Sequence, residues 1–258
     1  MDRNALLTVV RRADALAALD DEPLAPRDLV DELDVSRSTV QRAADQLADH
    51  GLVERSNGEL ALTPVGSLVA EELLAFRQCL DAAWRLEGAL AAFRATDFDF
   101  PVAAFADAAV TDAAPGDPYR PVERFMELVA DTGSLRGVDP ASINPLHLDD
   151  LHAAVVDGME TTAVFRPDVV RELVRNNPDR ARSAFESGNL ALYTHPDLRF
   201  GLTLCDDRVG VGVYDAETGM LEQYVDTDDA DAYAWGERVY ESVLADATRF
   251  DWRDALAD

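Results

Sequence analysis

The stretch from Leu24 to Thr63, LAPRDLVDELDVSRSTVQRAADQLADHGLVERSNGELALT, constrains the fold more than any other part of the chain. Pro26 suits the first turn of a helix, because its missing N–H would have no partner there. Leu29, Val30 and Leu33 follow on one apolar face, which predicts a short helix from Pro26 to Leu33. Asp34-Val35 reads as a tight turn. Ser36 is a good N-cap, since its hydroxyl can accept from the free N–H groups of the next turn. Val40, Ala43, Ala44 and Leu47 then recur at i, i+3, i+4 and i+7, the stripe of an amphipathic helix running to about His50. The small Ala43 and Ala44 let the two helices approach closely. Gly51 ends the second helix, as glycine does just past a C-terminus. Two β-like runs, Leu52 to Arg55 and Leu60 to Thr63, flank Ser56-Asn57-Gly58-Glu59, and Asn-Gly is a strong hairpin signal.

The face opposite that stripe carries Arg37, Ser38, Gln41, Arg42 and Asp45. Arg and Gln side chains can bond bidentately to guanine and adenine edges. Here the sequence resembles a large family of prokaryotic winged-helix regulators. The resemblance is carried by Val35-SRSTVQRAADQLADHGLVER-Ser56 and by Leu62-Thr63-Pro64-x-Gly66 after the hairpin, and it covers about the first quarter of the chain. It implies a winged helix-turn-helix whose second helix, opened by Ser36, lies in a DNA major groove. On that reading Arg37 and Gln41 contact bases. Ser38, Thr39, Arg42 and Arg55 hold phosphates, and Asn57 in the wing reaches a neighbouring one. A plain helical hairpin inside a core is the competing structural reading, and the Asn-Gly hairpin weighs against it.

Charge runs against a DNA partner at first sight. The chain has 50 acidic and 23 basic residues, for a net charge of −27. Residues 1–66 hold seven Arg against thirteen Asp and Glu. DNA-binding domains usually present a basic face. All the basic residues are Arg, with no Lys anywhere, and Ala, Asp and Val are abundant. This composition resembles that of haloarchaeal proteins, adapted to molar salt. There the Debye length falls to about 3 Å, so an acidic surface repels little. The local sign around Arg37, Arg42 and Arg55 then matters more than the net charge.

The absence of Lys excludes a P-loop, a Schiff base and a kinase site. No Gly-x-Ser-x-Gly elbow occurs, so no catalytic residues are assigned. Gly210-Val211-Gly212 reads as a bulge or close packing within a strand, not as a cofactor loop. His147 and His152 are off a common helix face, and Asp228-Asp229-x-Asp231 reads as a helix start, so neither a metal nor another cofactor is expected. Cys79 and Cys205 are far apart and match no metal pattern. Met1-DRNALLTVV lacks a secretory pattern, and no run approaches the ~20 apolar residues of a membrane span. The expected location is cytoplasmic, with no membrane partner.

The sequence divides into a DNA-binding domain at 1–66, a linker or dimerisation helix at 67–95 and an effector-sensing domain at 96–258. Residues 3–20 form a first helix. The run from Val65 to about Ala95 is too apolar for a lone surface helix, and a homodimer contact is expected, since such modules act as two-fold pairs. From Thr96 helices and strands alternate. Strands are predicted within 107–115, at 134–139, 160–166, 190–195, 200–205, 208–214 and 221–225. Helices are predicted at 122–131, 146–157, 167–175, 178–186 and 229–246, and a loop at 140–145. The class is α+β or α/β, with a mixed sheet whose later strands are antiparallel.

The order of these elements, Asp117-Pro118-Tyr119-Arg120-Pro121, Leu135-Arg136-Gly137-Val138 and Phe200-GLTLCDDRVGVGVY-Asp215 resemble the middle-domain family of archaeal methanogenesis and filamentation regulators. More distantly they resemble the sensor domain of TrmB-like archaeal regulators. The resemblance spans roughly residues 70–250. It implies a sensor related in fold to half of a phospholipase D. The His-x-Lys motif of that fold has no counterpart here, which excludes its phosphodiesterase chemistry. Arg136, Arg166, His195 and Arg208 stand at strand ends as candidates for a small-molecule effector, where Arg would suit an anion. The reading is therefore a ligand- or metabolism-responsive regulator binding promoter or operator DNA. The alternatives are a scaffold whose winged helix contacts protein, and a hydrolase in the α/β domain.

Overall fold

The computed structural model describes residues 3–94, 96–130, 132–141 and 147–255. The chain forms two compact units, Met1–Asp81 and Ala82–Asp258. The division falls inside a helix, within the segment read from sequence as a linker.

The first unit runs α1 (Arg3–Arg11), α2 (Ala13–Asp21), α3 (Pro26–Leu33), α4 (Arg37–Asp49), β1 (Val53–Ser56), β2 (Glu59–Leu62) and α5 (Pro64–Arg85). The single helix expected over 3–20 is two helices, with the break at Arg12 (φ −112°, ψ 19°). The Arg12 guanidinium bonds Gln46 of α4 at 3.0 and 3.1 Å. The break lets α2 bury Ala13, Ala15, Leu16 and Leu19, whereas α1 buries nothing fully. These residues join Leu29, Val40, Ala44, Leu47, Leu52, Val53 and Leu60 in one core. Asp34, in the left-handed region at φ 49°, closes α3. The hairpin β1–β2 pairs Ser56 with Glu59, and Asn57 and Gly58 both have positive φ (52° and 88°). That pair of left-handed residues is the tight turn whose twist matches the strands.

The second unit continues with α6 (Glu87–Phe93), β3 (Ala109–Asp112), α7 (Arg120–Ala130), β4 (Ser134–Asp139), α8 (Leu148–Val156), β5 (Glu160–Phe165), α9 (Pro167–Asn176), α10 (Pro178–Glu186), β6 (Leu190–Thr194), β7 (Gly201–Cys205), β8 (Arg208–Tyr214), β9 (Leu221–Thr227), α11 (Ala230–Ala245), β10 (Thr248–Arg249) and α12 (Trp252–Ala255). The long helix expected over 65–95 breaks at Leu86 (φ −97°, ψ 15°), which is fully buried. Ala95, Asp131 and most of the predicted loop, from Ser142 to Pro145, lie outside the described residues, as does Leu146, where a helix was expected to begin. β10 and α12 were not anticipated, since a two-residue strand and a four-residue helix carry too little pattern to read.

Among the described residues eight strands form one mixed sheet in the order β10-β6-β5-β4-β7-β8-β9-β3. β4, β5 and β6 pair in parallel through α8 and the α9–α10 pair, while β7, β8 and β9 are antiparallel. Pro167 and Pro178 each start a helix at a position that needs no N–H. Asp229 caps α11, its carboxylate accepting from the N–H groups of Asp231 and Ala232 at 2.9 Å. Among the described residues no helix is long and apolar enough to cross a membrane.

The sheet is covered on both faces. Val138, Val164, Leu202, Leu204, Val209 and Val211 pack on one side with Trp235 and Val239 of α11 and with Phe93 and Phe105. Ring centroids of Phe93, Phe100 and Phe105 lie 5.1 to 5.6 Å from that of Trp235, whose indole N–H donates to the Asp99 carbonyl at 2.8 Å. A Cβ added at Gly236 would lie 2.8 Å from Val209, so α11 sits directly on the strands. α7, α8, α9 and α10 cover the opposite side.

Candidate functional site

In the first unit Ser36 caps α4 as expected: the Thr39 N–H donates to its hydroxyl at 3.2 Å. The Ser36 Oγ also lies 2.9 Å from the hydroxyls of Ser38 and Thr39. Leu29, Val40, Ala43, Ala44 and Leu47 are buried, which leaves Arg37, Ser38, Gln41 and Arg42 on the solvent face of α4. Thr39 is half-buried. Arg42 Nε donates to the Ser38 carbonyl at 3.1 Å. Asp45 is the hub of the rest: it accepts from Gln41 Nε2 at 2.8 Å and pairs with Arg55 of β1 at 2.9 Å. The wing strand is thereby tied to the middle of α4. Asn57 stands exposed in the turn. The Arg37 guanidinium has no hydrogen bond or ion pair to another described residue. Pro26 and Arg27 of α3 share a shallow depression with Arg37 and Gln41. Arg27 is a cation that the sequence reading did not place, because its neighbours come from the next helix.

In the second unit the four effector candidates are not gathered into one site. Arg136 reaches from β4 to α11, pairing with Glu237 at 2.7 Å, bonding the Tyr233 hydroxyl at 3.1 Å and lying over the Tyr240 ring. Arg166 pairs with Asp168 two residues on. The His195 ring accepts from the Asp197 N–H at 3.2 Å, and the His195 backbone N–H donates to the Phe165 carbonyl. Arg208 pairs with Asp226 at 2.8 Å and with Asp228 at 3.4 Å. Asp226 is fully buried and also takes a two-pronged bond from Arg124 of α7, both contacts at 2.8 Å. Burial alone would raise the Asp226 carboxyl, but Arg124 and Arg208 hold it below the usual range.

A cavity of about 360 Å³ opens between the sheet and α7, α8, α9 and α10, and none of those four residues lines it. Its helix side is mostly apolar, with Phe125, Met126, Leu151, Val155, Val174 and Phe185, and also presents His147, His152, Asn177 and Arg180. Its sheet side holds polar groups that sequence reasoning missed: Asp139, Thr161, Thr203, Tyr214 and Tyr224. The two tyrosine rings lie over glycines. A Cβ at Gly210 would stand 2.0 Å from the Tyr224 hydroxyl, and one at Gly201 would stand 2.9 Å from the Tyr214 ring. The close-packing reading of Gly210 and Gly212 is what the structure shows.

Asp139 ends β4. Its carboxylate accepts from the Ala141 N–H at 2.8 Å and from the Tyr214 hydroxyl. Burial pushes this carboxyl up to about 7, against the lowering effect of those two bonds. The Tyr224 hydroxyl is buried near Thr203 without a well-formed hydrogen bond to it or to any other described group. Burial drives the Tyr214 and Tyr224 phenols well above their ordinary value and pushes the Cys205 thiol up to about 12. On the helix side His152 bonds the Ser183 hydroxyl at 2.7 Å, and Arg180 pairs with Asp149.

A family model described as the middle domain of the methanogenesis regulatory protein FilR1 matches residues 118–246, half of the chain. A second, described as the HVO_A0261 N-terminal domain, matches residues 1–85. No curated protein matches. Among solved structures, TrmBL2, an archaeal chromatin protein with a novel mode of DNA binding, is 15% identical, with 96% of this chain and 100% of that one covered and a TM-score of 0.45. NucT from Helicobacter pylori is 10% identical over 55% of this chain and 98% of its own, with a TM-score of 0.44. Nuc from Salmonella typhimurium, a phospholipase D family member, is 17% identical over 55% and 97%, with a TM-score of 0.40. These structural likenesses are too distant to carry a functional argument.

Proposed function

The chain belongs to the family defined by the middle domain of the methanogenesis regulatory protein FilR1, and from that premise we propose that it is a DNA-binding transcription regulator whose second unit senses a small molecule. The observation that carries the reading is the exposed face of α4. A capped helix start offers Arg37, Ser38, Gln41 and Arg42 to solvent, with the wing held beside it by Arg55. Arg37 and Gln41 read base edges in the major groove. Ser36, Ser38, Thr39, Arg42, Arg55 and Asn57 hold the backbone.

The regulator acts in the cytoplasm as a homodimer. Leu6, Leu7 and Val10 of α1 and Val65, Leu68 and Phe76 of α5 are exposed, and a second copy would cover them. Effector binding would favour one spacing of the paired reading helices over another. The acidic, lysine-free composition supports a salt-rich cytoplasm. Counterion release then contributes little, so affinity falls only gently with added salt.

Arg37→Ala combined with Arg42→Ala is expected to abolish specific binding while the dimer persists, at about 1–3 kcal/mol for a lost base contact. Genome-wide promoter occupancy reads the outcome, and unchanged occupancy in the double variant overturns the assignment. Asp45→Asn turns the Arg55 ion pair into a neutral hydrogen bond and removes one negative charge from the face, so it should strengthen non-specific binding in a fluorescence anisotropy titration. The acidic first unit favours one other reading, a scaffold that uses the winged helix to contact protein. It would give no discrete promoter peaks.

A further inference from the structure

The hollow side of the sheet carries features that DNA binding does not use. Its volume, about 360 Å³, falls in the range of small-molecule sites. It reaches Asp139, the last residue of the parallel strand β4, and ligands of such sheets sit at the carboxyl ends of strands. Its apolar walls would bury most of a ligand's surface.

The charged groups lining it do not balance. Arg180 is already paired with Asp149, outside the lining, and His152 is bonded to Ser183. His147 and Tyr119 are the other titratable groups on the helix side. Asp139 faces Tyr214 of β8 and the Ala141 N–H, and no described cation pairs with it. A carboxylate offers about four acceptor positions, and described residues take up two of them. Tyr224, 2% exposed, adds a buried hydroxyl without a partner to the same lining. A bound anion would meet an uncompensated carboxylate, whereas a cation would complete its charge.

We propose that this cavity is an effector site for an apolar organic amine, whose protonated head pairs with Asp139 while its body fills the space under α7, α8, α9 and α10. Its regulatory sense rests on the regulator reading above, but the binding itself does not.

The test is calorimetry on the full chain without DNA, using 4-phenylbutylamine, 4-phenylbutanol and 4-phenylbutyrate as matched probes. The amine is expected to bind about tenfold or more tighter than the alcohol, as a charge-assisted bond should, with the acid weakest. Raising the pH from about 6 to about 8 should strengthen amine binding as Asp139 gives up its proton, and leave the alcohol unchanged. Asp139→Asn, with folding checked by circular dichroism, should remove the preference for amine over alcohol. If that variant misfolds, the pH series on the unaltered chain decides between the outcomes. Absence of binding, an acid that binds as well as the amine, or a preference that survives Asp139→Asn overturns the proposal. Promoter occupancy without amine binding removes only the pocket, and amine binding without occupancy removes only the regulator reading.

Discussion

The two faces of the large sheet are built from the same strands in opposite ways. Towards α11, Val209, Val211, Leu202, Leu204 and Val164 meet Trp235 and three phenylalanines with no room for a Cβ on Gly236. Towards α7, α8, α9 and α10, glycines alternate with tyrosines and an aspartate, and a cavity remains. Alternation along β8 makes the contrast explicit. Val209, Val211 and Val213 point one way, and Gly210, Gly212 and Tyr214 the other. Dense packing gives the first face its stability. The second face gives some of that up for buried polar groups and space, which is what a binding site requires and a structural core does not.

Truncations measure that contrast. Trp235→Ala on the dense face should cost about 3–5 kcal/mol in denaturant unfolding, from lost transfer energy and a cavity that cannot collapse. Asp226→Ala, which strands Arg124 and Arg208, should cost about 2–3 kcal/mol, below the value for a wholly buried pair because both Arg are about a third exposed. Leu151→Ala, on the hollow side, should cost about 2 kcal/mol, the low end for leucine, since it already borders open volume. Equal losses for Trp235→Ala and Leu151→Ala would break the comparison. Tyr224→Phe should raise stability by about 1 kcal/mol, because it removes a buried hydroxyl with no partner.

The two buried carboxylates give opposite pH signatures. Asp226 is held below its ordinary range, so its contribution is present above the unfolded value near 4 and is lost as pH falls through the folded one. Asp139 is raised to about 7, so the folded state keeps a proton that the unfolded chain releases, and stability declines as pH rises from about 4 to about 7. Thermal melts across this range should show Asp226→Ala flattening the acid limb and Asp139→Asn flattening the decline above it.

The first unit was legible because its signals are local. Pro26, Ser36, Gly51 and Asn57-Gly58 each act within one turn, and the buried set Val40, Ala43, Ala44 and Leu47 follows from periodicity alone. Most strands of the second unit were legible for the same reason. The breaks at Arg12 and Leu86 were not, since each depends on what the neighbouring turns bury. Nor was the cavity. Asp139, Tyr214 and Tyr224 come from β4, β8 and β9, and only the sheet order brings them to one face. The effector candidates Arg136, Arg166 and Arg208 proved to be paired with Glu237, Asp168 and Asp226. The usable signal was the every-second-residue spacing of Gly210, Gly212 and Tyr214, whose glycines read from sequence as close packing without asking what packs there.

Those glycines also act as a lock on strand alignment. Tyr224 finds Gly210 only when β9 meets β8 in the observed register, and Tyr214 reaches Gly201 only when β7 does. A one-residue slip of β9 would turn Tyr224, and one of β8 would turn Tyr214, to the other face, where α11 already lies against the strands at Gly236 and leaves no room for a phenol. Mispaired sheets are thus rejected by size alone. Each ring and the bare position beneath it can therefore change only together.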